Sequence, residues 1–380
     1  MPRYGTGALA DLVPALLSSL GVPGVGDNLG LPATRKVCLL LIDGLGWEQL
    51  RAHADVAPFL SSLVPGSVPI TAGFPSTTAT SITAIGTGLP PGEHGMVGYS
   101  FTTPDHELIN ALSWTTRRGE AWVDLREEFP PEQAQPAPTL FDRAVTAGVT
   151  VRLVTQHQFQ GSGLTRAALR GGEFTGVLAL GDLASGAVQS MRAGEHVFCY
   201  AYHADLDLLG HFYGPGSDPW RMQLGHVDRL AATIAEALPS DAMLVVTADH
   251  GMVWVDEEDR VDFDTDPVLR AGVRLLGGEA RARHVYTEPG AAGDVLAAWR
   301  DKLGARAWIL SRDEAVAAGW FGPKVADHVR SRIGDLVVAG KNSSVIVRSE
   351  AEPRPTIFRG HHGSLTAEEQ LVPVLAHRAE

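Results

Sequence analysis

Cysteine is nearly absent: two in 380 residues, Cys38 and Cys199, each inside an apolar run. That excludes a disulfide-framed domain and a thiolate zinc cluster and leaves two core thiols. Basic residues are in deficit, 31 Lys and Arg against 44 Asp and Glu, giving a net charge of −13. An acidic chain of this kind is not a nucleic-acid scaffold. It can still bind a phosphate-bearing molecule where metal ions supply local positive charge. No apolar run reaches the roughly 18 residues of a membrane-spanning helix. The best N-terminal stretch, Leu12 to Leu20, is short, contains Pro14 and follows Asp11. Leu9, Leu12, Val13, Leu16, Leu17 and Leu20 share one helical face with Gly21 as a stop, so the segment reads as an amphipathic helix and not a cleaved leader. The expected compartment is cytoplasmic, with no membrane partner. No internal repeat interrupts the chain.

What is present is an alternation of buried strands and amphipathic helices. Lys36-Val-Cys-Leu-Leu-Leu-Ile42 is continuously apolar and ends at Asp43-Gly44, and similar runs lie at 149–154, 197–202 and 242–246. Runs without polar alternation belong to parallel sheets covered on both faces. Between them, Val227, Leu230, Ala231, Ile234 and Leu238 form one helical face, with Asp218 placed to cap and Pro219 in the first turn. The expected fold is α/β, an open, doubly wound, mostly parallel sheet. Residues 255–350 read as a small inserted α/β subdomain, with strands near Arg283–Thr287 and 307–310, a helix over 294–303, and a capping box at Ser311/Glu314. The catalytic core is then 1–254 together with 351–380. The acidic stretch 256–266 reads as a solvated loop, since it lacks the glycine and terminal glutamate of an EF-hand. Residues 128–139, with four prolines, read as a loop or hinge.

Ligands of an open α/β sheet gather beyond the carboxyl ends of its strands. Metal-type donors stand there in four separate segments: Asp43; Asp207 and His211, four residues apart; Asp249 with His250; and His361-His362-Gly363. Each segment alone has an ordinary reading as a turn, a cap or a surface hydrogen bond. Together, three aspartates and three histidines suit two divalent ions better than one. Between the first two segments lies a hydroxyl-rich stretch in which Ser76, Thr77 or Thr78 caps a short helix through Ile82 and Ile85, ending at Gly86 or Gly88. A helix N-terminus is an anion site, and a hydroxyl there can serve as a nucleophile.

These motifs, in this order, resemble the alkaline phosphatase superfamily, and within it the type I phosphodiesterase/nucleotide pyrophosphatase family. The carriers are Ile42-Asp43-Gly44, Thr87-Gly88-Leu89, Asp207-Leu-Leu-Gly-His211 with Gly214-Pro215, Asp249-His250-Gly251-Met252 and Gly360-His361-His362-Gly363, spanning residues 36–363. The resemblance implies an alkaline-phosphatase-like fold and two divalent ions, zinc being the expected pair. One would be held by Asp43, Thr78, Asp249 and His250, the other by Asp207, His211 and His362. It implies Thr78 as nucleophile, nine residues before Thr87, with Thr77 as the alternative, and a covalent phosphothreonine.

Two departures concern the substrate. The family's Thr-Phe-Pro-Asn sequence is not reproduced, since Phe74-Pro75-Ser76 lies upstream of Thr78. The family's phosphate-binding Asn, 21 residues after the nucleophile, falls on Tyr99. The sulfatase modification motif is absent. The implied substrate is a small phosphate ester or nucleotide, with a phosphomonoesterase, phosphonate hydrolase or phosphomutase as alternatives on the same frame, and an inactive metal-binding regulator as the alternative of another class. Trp114, His157, Phe159 and Tyr99 are candidates to stack on a ring, and Arg117 and Arg118 to meet a phosphate; each also has an ordinary structural reading. Oligomeric state is not readable.

Overall fold

A computed structural model of the chain describes residues 1–379. Its central sheet has six strands in the order Val374–Arg378, Ala242–Thr247, Lys36–Ile42, Val197–His203, Thr150–Gln156 and Glu173–Val177. All pair in parallel except the C-terminal edge strand. The architecture is the mostly parallel α/β sheet expected. Val37 through Ile42 are fully buried, which requires cover on both faces, and that is why the run carries no polar alternation. Cys38 and Cys199 face each other across adjacent strands as free, buried thiols. Register aligns Ile42 with His203 and Leu41 with Thr247, so three adjacent strands end at one level and release Asp43, the Asp207 segment and Asp249 side by side.

The N-terminal segment forms the helix Leu9–Ser19, with Pro14 inside it. Its leucine face is buried and packs against the helix Thr78–Thr87. Asp11 accepts hydrogen bonds from the N–H groups of Gly7 and Ala8, which tie down the turn before it. Among the described residues no helix is long and apolar enough to cross a membrane.

Residues 273–340 build a second sheet, antiparallel throughout, in the order Val273–Glu279, Ala282–Thr287, Leu336–Gly340 and Ala307–Ser311. The helix Ala292–Leu303 covers it, and a separate core forms around Leu276, Val285, Trp299, Ile309 and Val338. The capping box at Ser311 and Glu314 is present. A third, four-stranded antiparallel sheet spans Ser100–Thr102, Leu108–Asn110, Thr115–Arg118 and Ala121–Asp124. Its strands are too short and polar to stand out in the sequence.

Three local expectations are corrected. The helix Asp218–Glu236 has Ser217, not Asp218, at its N-cap, with Asp218 and Pro219 as its first two residues; the side chain of Ser217 turns back to the Gly214 carbonyl. Residues 128–139 are not a hinge. Pro131–Ala134 forms a helical turn, Gln135 is fully buried, and Arg170 and Arg332 donate to the carbonyls of Ala137 and Ala134. The acidic stretch is not merely solvated, because Asp262 and Asp264 accept the N–H groups of Ser349, Glu350 and Ala351 and fix the chain as it returns to the core.

One fully buried ion pair joins the second sheet to the core. Arg281 meets both oxygens of Glu369, at 3.0 Å and 2.5 Å, and Glu369 also accepts from the Ser364 N–H and the Thr366 hydroxyl. Removing one partner strands a buried charge, which typically costs about 3–5 kcal/mol. Glu369→Gln is therefore expected to lower unfolding stability by about 3 kcal/mol or more, read as a shift in denaturation midpoint at unchanged m-value.

Candidate metal and nucleophile site

The backbone after each strand explains how the donors meet. Gly44 follows Asp43 with φ at +74°, and a Cβ there would stand 3.0 Å from the Cβ and 3.1 Å from the Cα of Asp207. Only glycine allows the turn and the close approach together. The helix Asp205–Tyr213 then places Asp207 and His211 one turn apart, with His211 Nε2 at 3.2 Å from Asp207 Oδ2. His362 precedes Gly363, whose φ of +129° and 3.0 Å clearance from Glu279 again call for glycine.

Two groups of donors result. In the first, Asp207, His211 and His362 bring ligand atoms within 4.8 Å of one another, the two imidazole Nε2 atoms standing 3.3 Å apart. In the second, Asp43, Asp207 and His250 do the same. Asp249 joins the latter through Oδ2, at 3.5 Å from His250 Nε2, and Asp43 Oδ1 lies 3.4 Å from the same nitrogen. Asp207 belongs to both groups and links them. The outer nitrogens are all engaged by carbonyls: Nδ1 of His211 with Gly360, of His362 with Ser76, of His250 with Gly251. This orients every Nε2 inward, as second-shell contacts do in metal sites.

The carboxylates fit a cation. Asp43 Oδ1, Asp207 Oδ1 and Asp249 Oδ2 are buried and have no hydrogen-bond partner. Burial pushes the Asp43 carboxyl up, and Asp249 and Asp207 push it further, against the hydrogen bond from Tyr202. Asp249 is raised in the same way, by burial first, against the charge of His250. Burial would raise Asp207 too, but His211, with His362 and His250, outweighs it and holds that carboxyl below the ordinary range. His362 is lowered, chiefly by burial. Two like charges about 4 Å apart repel by roughly 4 kcal/mol at an effective dielectric of 20, more than the roughly 1 kcal/mol of a neutral hydrogen bond. Tyr202 alone cannot offset this, whereas divalent ions can.

Thr77 is the N-cap and Thr78 the first residue of the helix Thr78–Thr87, which closes at Gly88 with φ at +71°. Thr78 Oγ1 lies 3.3 Å from His250 Nε2. Thr77 turns away and donates to Glu279 Oε2 at 3.0 Å. Two cavities open on either side of Thr78 and Asp207. The larger, about 380 Å³, is lined by Ile82, Leu112, Phe159, Leu164, Leu208 and Tyr200 among others. The smaller, about 130 Å³, is lined by Thr77, Tyr99, Leu112, Glu279, Phe358 and His361 among others.

Of the residues singled out for a ring or a phosphate, Phe159 lines the larger cavity and Tyr99 the smaller. The phenol oxygen of Tyr99 accepts from Asn110 Nδ2 at 2.6 Å. Trp114 is instead fully buried against Phe129, His157 is exposed, and Arg117 and Arg118 lie on an exposed hairpin where Arg118 pairs with Glu107 and Glu128. Two site residues escaped the sequence reading. Tyr202 sits beside Leu41 in register and reaches Asp43; a phenol among the last residues of a buried strand was the available signal. Glu279 enters from the second sheet, and no local pattern announced it.

The model of the family described as type I phosphodiesterase/nucleotide pyrophosphatase matches residues 37–365. No curated protein matches by sequence. Among solved structures, the chain is similar to human ectonucleotide pyrophosphatase/phosphodiesterase 5, at 18% identity over 90% of this chain and 87% of that one, with a TM-score of 0.68. The murine protein, in an inactive threonine-to-alanine variant in complex with AMP, gives 17% identity over 90% and 88%, with a TM-score of 0.67. Phosphonoacetate hydrolase from Sinorhizobium meliloti 1021, in complex with phosphonoformate, gives 20% over 91% of each chain, with a TM-score of 0.65.

Because Asp207 serves both donor groups and His211 only one, their substitutions should differ. Elemental analysis is expected to find His211→Ala depleted chiefly of one ion, and Asp207→Asn depleted of both.

Proposed function

The chain belongs to the type I phosphodiesterase/nucleotide pyrophosphatase family and is a hydrolase of phosphoric esters, and we propose that it cleaves diesters through Thr78 by way of a covalent phosphothreonine. The observation that carries this reading is the position of Thr78, at a helix N-terminus, in contact with His250 and lining both cavities. A diester has two arms, and each cavity takes one.

Asp43, Thr78, Asp249 and His250 would hold one divalent ion and Asp207, His211 and His362 the other, with Asp207, which lies in both donor groups, also within reach of the first. Carboxylate and imidazole donors suit zinc. Such ions supply positive charge that acidifies a bound hydroxyl and offsets charge developing on phosphoryl oxygens. The free N–H groups of the first turn after Thr77 add hydrogen bonds and the positive end of the helix dipole. Thr78 Oγ1 forms the bond to phosphorus as the bond to one alcohol breaks; water then cleaves the Thr78 ester, releasing the phosphomonoester and restoring the hydroxyl. Thr77 is the poorer nucleophile, being turned toward Glu279 and away from the donor groups.

Tyr99 would bind the phosphoryl group. Because Asn110 donates to its oxygen, the phenol proton is free to be donated in turn. The larger, mostly apolar cavity suits a bulky arm such as a nucleoside, with the buried, unpartnered hydroxyls of Thr155 and Tyr200 available to its polar edge. AMP in the murine neighbour is in keeping with that choice. A compact phosphonate would leave the larger cavity empty, which favours the diester reading over phosphonate hydrolysis.

Thr78→Ala is expected to retain both ions and lose at least about a thousandfold in kcat on methyl p-nitrophenyl phosphate, while Thr78→Ser keeps measurable turnover. Wild-type turnover in the alanine variant would overturn the assignment. Tyr99→Phe removes one hydrogen bond to a charged group, typically about 1.5–3 kcal/mol, and should cost about ten- to a hundredfold in kcat/KM.

A further inference from the structure

The smaller cavity is unusual in what it leaves unpaired. Glu279 Oε1 and His361 Nε2 are both buried and both without a hydrogen-bond partner. His361 is only 4% exposed. A neutral imidazole with its proton on Nδ1 presents Nε2 as an acceptor. Asp207, His211 and His362, which also line the cavity, belong to the metal-donor group, and Asp207 Oδ1 is free for an ion. Of the rest, Glu279 Oε2 is engaged by Thr77, both oxygens of Glu352 by Arg283, and the Tyr99 oxygen by Asn110. The walls therefore hold spare acceptors and no spare donor except the phenol proton of Tyr99, which faces the phosphoryl group in the reading above. Leu112, Pro355 and Phe358 supply an apolar surround for a short stem.

Volume sets the other limit. A cavity of about 150 Å³ holds benzene, so about 130 Å³ admits neither a nucleoside nor a nitrophenyl ring with its substituent. We propose that this cavity selects the second ester arm, and that the arm is a short alkyl chain ending in a hydrogen-bond donor, hydroxyl or ammonium, received by Glu279 and His361. The proposal rests on the diester reading and names the substrate class within it: an asymmetric phosphodiester, bulky on the Phe159 side and small and donor-bearing on the Glu279 side. A buried acceptor left without its donor loses the hydrogen bond and pays for desolvation, so discrimination against an apolar arm of equal length should be about ten- to a hundredfold.

The test uses the metal-loaded full chain and four p-nitrophenyl diesters whose second arms are methyl, n-propyl, 2-hydroxyethyl and 2-aminoethyl. The wild-type kcat/KM for at least one donor-bearing arm is expected to exceed that for n-propyl by tenfold or more, and the better of the two identifies hydroxyl or ammonium as the natural group. In Glu279→Leu the ratio should fall to within about threefold of unity; because it compares two substrates on one protein, differences in folding or metal loading cancel. Equal wild-type rates on the propyl and donor-bearing diesters, or an unchanged ratio in the variant, would overturn the inference while leaving diester hydrolysis standing. Failure to hydrolyse any of the four would overturn the diester reading itself, and this inference with it.

Discussion

Three aspartates, two at the ends of adjacent strands and one on the helix that follows a third, set the terms for the rest of this structure. Asp43, Asp207 and Asp249 are brought together by register, and each keeps one oxygen free of any protein donor. A core of this kind is tolerable only if positive charge enters it, since the repulsion among carboxylates exceeds what one tyrosine hydroxyl returns. The three imidazoles follow from the same need. Each is tethered by a backbone carbonyl at Nδ1, leaving Nε2 as a donor atom pointing inward. In the proposed mechanism the hydroxyl of Thr78 would gain its chemistry from the ions that this charge calls for.

The sheet and the candidate donors beyond it were legible for one reason: buried parallel strands erase polar alternation, so the first polar residue after each run marks the end of a strand. Asp43 and Asp249 stand out in that way, and the Asp207–His211 spacing matches one helical turn. The choice between Thr77 and Thr78 was not legible from the residues, because either can cap a helix. It depends on which hydroxyl the helix start turns toward the metal donors, and Thr77 is occupied by a carboxylate from another sheet. Ser217 replaced Asp218 as a cap for a similar reason, since several small polar residues in a row leave the first turn underdetermined. The third sheet went unread because its strands are three or four residues long and mixed in polarity. Trp114 looked available to a ligand because nothing local shows that Phe129 and Gly163 enclose it.

Long-range placement was the larger loss. Glu279 lies at the end of a strand whose neighbours are residues 282–287, yet its carboxyl works against Thr77, some 200 positions earlier. What brings it there is the attachment of the second sheet to the core through Arg281 and Glu369, a fully buried charge pair surrounded by further donors. A contact this costly to desolvate contributes little net stability compared with an apolar one, but it admits few alternative geometries. The parts it joins are the strand ending in Glu279 and the turn that follows His362 and Gly363. Precision is therefore concentrated where two separately built walls meet around the candidate site.

That division of labour accounts for the asymmetry of the site. The parallel sheet supplies the metal-type donors and the apolar cavity beside Phe159, both made from residues at or near strand ends. The second sheet supplies the opposite wall, rich in acceptors and narrow. Leu112 borders both cavities from the turn between the strands Leu108–Asn110 and Thr115–Arg118, held by Asn110, whose side-chain Oδ1 accepts the N–H groups of Leu112 and Ser113 while its Nδ2 donates to Tyr99. One asparagine thus fixes both the divider and the phenol. On the proposed reading, chemistry and selectivity are carried by different sheets, so the selecting wall can change in size and polarity without disturbing the three aspartates.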